Sequence, residues 1–67
     1  MISIILNGNE EQFPDGATLA EVVQHITSAT QGIAVAVDAH VVRRNDWAIT
    51  SLRSGAEVDV LTAVQGG

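Results

Sequence analysis

Only one stretch of this chain carries a helical period, and that restricts its fold more than any other feature. Leu19, Val22, Val23 and Ile26 fall at i, i+3, i+4 and i+7, an apolar stripe on one helix face. Thr18-Leu19-Ala20-Glu21 opens this helix as a capping box, in which the Thr hydroxyl and the Glu carboxylate satisfy free N–H groups. The run Thr30-Gln31-Gly32 is expected to end it. The other apolar runs, outside the irregular stretch Asn45 to Leu52, follow the two-residue period of strands. A single helix can cover only one face of a sheet.

The strands read as follows. Ile2, Ile4 and Leu6 alternate with Ser3 and Ile5, and Asn7-Gly8 follows as a hairpin turn whose two positions accept positive φ. Asn9 to Phe13 is then a short polar strand at an edge, closed by the turn Pro14-Asp15-Gly16. Ile33 to Val37 forms a third strand, Asp38-Ala39 a tight turn, and His40 to Arg43 a fourth strand. Asn45 to Leu52 is read as irregular, with Trp47 closing one edge of a small core. Arg53-Ser54-Gly55-Ala56 is a turn, and Glu57 to Val64 the last strand. The order strand, strand, helix, strand, strand, strand predicts an α+β chain of the β-grasp (ubiquitin-like) type. It has a mixed sheet of about five strands, one main crossover helix, and its first and last strands parallel at the centre. Residues 1–64 form the domain and residues 65–67 a flexible tail.

At 67 residues there is room for one small core, and the absence of Cys rules out a disulfide staple or thiolate site. The 46% apolar content is what lets so short a chain build a core at all. Eight acids face three arginines and no lysine, a net charge of −5, which disfavours nucleic acid and favours a basic protein partner. No run approaches a membrane span, and the first residues carry no secretory signal, so a cytoplasmic location is expected.

Catalytic candidates in the body are few. His25 and His40 have no ligand cluster around them in the sequence, so no metal is expected. The serines lack a nucleophile-elbow context, and a chain without lysine has no P-loop. The remaining reactive group is the carboxylate of Gly67, which follows Gly66 and Gln65 directly after the last strand. Glycines without Cβ atoms can thread a channel too narrow for other residues; a frayed, glycine-tolerant terminus is the other reading of the same residues. Arg43 and Arg44, beside Trp47, are either partner contacts or solvated charges. Alternation assigns Ile2, Ile4, Leu6, Val35, Val58 and Val60 to the helix side. It leaves Ile5, Ala34, Ala36, Leu61 and Ala63 on the opposite face, an apolar group expected to receive a partner.

These residues carry a resemblance. The β-grasp order, Val42-x-Arg44-x-x-Trp47, then Leu52, Gly55, the last strand and Gly66-Gly67 together resemble the ThiS family, the ubiquitin-like sulfur carriers of thiamine biosynthesis. Many members have proline where this chain has Arg43. The resemblance implies a protein cosubstrate, not an enzyme. It implies that Gly67 is adenylated and converted to a thiocarboxylate, with Gly66 and Gln65 threading the active site. Ile5, Leu61 and Ala63, from alternation, and Arg43 and Arg44, from the charged segment beside Trp47, are the expected partner contacts. The implied partners are a ThiF-like adenylyltransferase, a ThiG-like thiazole synthase and a sulfur donor linked to a cysteine desulfurase. ATP and Mg²⁺ would be used by the adenylyltransferase, with no cofactor bound by this chain, which is expected to be monomeric when free. The alternatives are a molybdopterin synthase small subunit (MoaD-like) and a ubiquitin-like modifier; without lysine the latter could not build lysine-linked chains on itself.

Overall fold

A computed structural model describes residues 1–27 and 32–62. Strands β1 (Ile2–Leu6) and β2 (Asn9–Phe13) form an antiparallel hairpin through Asn7 and Gly8, at φ 50° and 86°. Helix α1 (Leu19–Ile26) leads to β3 (Ile33–Val37) and β4 (His40–Val42), which are joined by Asp38 and Ala39. A 3₁₀ helix (Arg44–Ile49) precedes the last strand, β5 (Glu57–Thr62). The five strands run in the order β2-β1-β5-β3-β4. β1 and β5 are parallel, and the other neighbours are antiparallel. The expected mixed sheet with first and last strands parallel near its centre is thus present.

The core lies between α1 and one sheet face. Ile4, Leu6, Val35, Val58 and Val60 are buried there under Leu19, Val22 and Val23, and Ile2 is half-buried. The helix begins as read: the Glu21 N–H donates to Thr18 Oγ1 at 3.3 Å, and the Thr18 N–H donates to Glu21 Oε1 at 2.8 Å. Its end differs. Thr27 is already extended at φ −148°, so the helix stops before Thr30-Gln31-Gly32, and residues 30 and 31 lie outside the described residues. The short helix also explains why Ile26 is 41% exposed although the period assigned it to the core. It is the last residue of the helix.

The strand expected over His40 to Arg43 stops at Val42, and the stretch read as irregular contains the 3₁₀ helix. The Asp46 N–H donates to the Arg43 carbonyl at 2.8 Å, and the buried Trp47 Nε1–H donates to the Val42 carbonyl at 3.0 Å. Trp47 therefore does more than close an edge: its indole ties the end of β4 to the turn that follows. Backbone bonds from Leu19 N–H to the Thr50 carbonyl and from Leu52 N–H to the Ala17 carbonyl fix the same loop to the start of α1. Trp47→Phe keeps most of the apolar contact but leaves the Val42 carbonyl without its donor. It should cost about 1–2 kcal/mol in denaturant unfolding followed by circular dichroism.

Candidate functional site

The chemistry expected at Gly67, with Gly66, Gln65 and Ala63, falls on residues outside those described. What can be described is the surface from which that segment leaves, the last residues of β5. Its geometry follows from register. Ala34 lies opposite Leu61, and Val35 opposite both Val60 and Val42. Arg43 follows Val42 and remains extended, at φ −69° and ψ 147°. Continuing the register by one residue puts Arg43 beside Ala34. Strand alternation puts Arg43, Ala34 and Leu61 in one row on the face away from α1. Leu61 is 67% exposed, and Arg43 and Arg44 are both exposed. Leu61, Thr62, Gly32, Ile33 and Ala34 also line a shallow depression at this end of the sheet.

Ile5 lies on the same face but elsewhere. Its cross-strand neighbours are Glu10 on β2 and Glu57 on β5. Glu57 and Leu61 are four positions apart on one strand, roughly 13 Å, with the exposed Asp59 between them. The single apolar group expected from alternation is therefore split. One part is Ile5 among acids, and the other is the row of Leu61, Ala34 and Arg43. Alternation decides which face a residue takes. Only register decides where along that face it lands. Ala36 pairs with Asp59 and Val41 with Ala36, so a further exposed apolar side chain, Val41, joins this face from β4. The sequence reading did not single out Val41.

Asn7 is more than a turn residue. Its N–H donates to the Val58 carbonyl at 2.9 Å, and its Oδ1 accepts the Val60 N–H at 2.7 Å. Asp38 acts similarly across the sheet, with its Oδ1 accepting the Glu57 N–H at 3.0 Å. Positive φ in a turn hints at Asn or Asp, but it does not reveal a side chain that reaches a strand about fifty residues later. The histidines are placed structurally: His25 packs edge-on to Phe13, with centroids 5.2 Å apart, and His40 Nδ1–H donates to the Asp38 carbonyl at 3.0 Å. Among the described residues no three acids or histidines are grouped to hold a metal, and no helix is long and apolar enough to cross a membrane.

The ThiS family model matches residues 4–67. The chain belongs to the ThiS family. The match runs from Ile4, within β1, through Gly66-Gly67, so it spans the core, the surface around Leu61 and the terminal glycines together. Among solved structures, the chain is similar to the thiamine biosynthesis protein ThiS from Geobacter metallireducens. The two share 17% identity over 98% of this chain and 100% of that one, with a TM-score of 0.81. That likeness establishes the β-grasp fold. No curated protein matches the sequence. ThiS-family membership supports a sulfur-carrier role in thiamine biosynthesis.

Proposed function

We propose that this chain carries sulfur on the carboxylate of Gly67 as a thiocarboxylate and donates it for thiazole formation. The observation that carries this reading is the family match through Gly66-Gly67, joined to a strand held in place by the buried Val58 and Val60. A carboxylate is a poor electrophile until its oxygen is converted to a leaving group. In the adenylyltransferase, a Gly67 carboxylate oxygen attacks the α-phosphorus of ATP, and pyrophosphate departs. The outer sulfur of a persulfide then attacks the acyl carbon, and AMP departs. A second thiol cleaves the resulting acyl disulfide, leaving the thiocarboxylate on the carrier and a new disulfide on the donor side. Thiazole synthase is the acceptor. ATP and Mg²⁺ belong to the activating enzyme, and this chain supplies the acyl group and the surface that presents it.

Leu61, Arg43 and Ala63 make the contact nearest the tail in this reading. Arg44 borders it, and Ile5 touches the enzymes separately, through the acidic part of the face. The sequence places Gln65 and Gly66 between that surface and the reacting carbon. The test is ATP–pyrophosphate exchange catalysed by a ThiF-like enzyme. A chain with a free Gly67 carboxylate should support exchange, and the same chain ending in a carboxamide should not. Equal exchange from both would remove Gly67 from the chemistry.

A further inference from the structure

The backbone of β5 alternates between its two neighbours, and near its end one of those neighbours is missing. Glu57 turns its N–H and carbonyl toward the β3 side: its carbonyl accepts from the Asp38 N–H at 2.8 Å, and its N–H donates to Asp38 Oδ1. By the two-residue period, Asp59 and Leu61 turn the same way, toward Ala36 and Ala34. Val58 and Val60 turn toward β1, as their bonds to Asn7 demonstrate. Thr62 follows them.

β1, however, pairs with β5 only at Ile5 opposite Glu57 and Leu6 opposite Val58. At Asn7 the chain swings away into the turn toward β2. The Asn7 side chain takes the Val60 N–H in place of a strand. The Val60 carbonyl and the Thr62 N–H and carbonyl are then left pointing into the gap beyond the turn. Nothing among the described residues fills this gap. Asn7, Gly8 and Thr62 are exposed, and a Cβ added to Gly8 would meet no atom within 4 Å.

We infer that this open half-edge of β5 receives an extended backbone segment of the activating enzyme as an added strand. The inference rests on the carrier function proposed above. Unpaired main-chain groups at strand spacing are a template for strand addition, which needs no particular partner side chain. The position selects the occupant. Thr62 is followed directly by residues 63–67, so a strand paired at Val60 and Thr62 runs alongside the path into the enzyme's active site. A second copy of this chain is a poorer occupant, because its own β2 edge carries Glu10 and Glu11 and each copy has a net charge of −5. The Asn7 cap ends the internal ladder at a defined residue. It leaves the last groups of β5 without a partner among the described residues.

The test removes one donor. Replacing the amide between Leu61 and Thr62 by an ester deletes the Thr62 N–H and leaves the side chain in place. Thr62→Pro deletes the same N–H genetically, and Thr62→Ala keeps it. The melting temperature of all three variants should stay within a few degrees of the parent, since the deleted group has no partner among the described residues. In titrations against a ThiF-like adenylyltransferase, the ester should bind about tenfold more weakly, the size of one backbone hydrogen bond. Thr62→Pro should lose at least as much, and Thr62→Ala less than twofold. An ester that binds like the parent overturns the inference and leaves the carrier reading standing. So does a free chain that dimerises through this edge and becomes monomeric as the ester. A parent chain that the enzyme neither binds nor adenylates overturns both.

Discussion

Deleting Gly66 and Gly67 should leave the melting temperature nearly unchanged and abolish adenylation. Every buried residue among those described lies between Ile4 and Val60. Among the described residues, β5 is held against β1 and β3 through residues 57–62. Changes outside the packed body usually stay within about 0.5 kcal/mol, a shift of only a few degrees in a domain of this size. The chemical effect should be total, because the carboxylate would then sit on Gln65, two residues short and beside a side chain that a glycine-width channel excludes. Parallel measurements of thermal melting and pyrophosphate exchange check both halves. A large fall in melting temperature would make the glycines structural.

Leu61→Asp should weaken binding to the adenylyltransferase and to thiazole synthase at least tenfold while the chain stays folded. Leu61 is 67% exposed, so the substitution buries no charge on folding. Its cross-strand neighbour is Ala34, too small to depend on it for packing. In a complex, the same carboxylate would be desolvated against whatever receives Leu61. Losing the apolar contact and burying an unpaired charge each cost on the order of 1–3 kcal/mol. Ile5→Asp should act more weakly, because Ile5 already lies between Glu10 and Glu57. Circular dichroism together with titration of the same variant decides the matter. A folded Leu61→Asp chain that binds both enzymes normally removes this row from the interface.

Much of this architecture was legible because its signals are local. The Asn7-Gly8 turn, the Thr18–Glu21 capping box and the alternation in β1 and β3 are each contained within a few residues, and each is found where the sequence puts it; the last strand, read as Glu57 to Val64, is found over Glu57–Thr62, and residues 63 and 64 lie outside the described residues. The parallel pairing of the first and last strands was expected from the order of strands around one crossover helix. What escaped was long-range. Ile26 obeys the helical period, yet it is exposed because it is the last residue of the helix. The split of the open face into an acidic part around Ile5 and an apolar row at Leu61 depends on the register of β1 and β3 against β5. The Asn7 side chain, read as turn chemistry, closes the parallel ladder at Val60, and that closure is what exposes the end of β5. The terminal glycines were conspicuous from the start. Their pairing with a family came from residues scattered from Val42 to Gly67, which no single spacing rule joins.

Mass spectrometry of the chain after incubation with the adenylyltransferase, ATP and a persulfide donor tests the assignment of Gly67 most directly. The intact mass should rise by the exchange of one oxygen for one sulfur, and fragmentation should place that sulfur on the C-terminal residue. An unchanged mass, or sulfur located on any side chain, would contradict it.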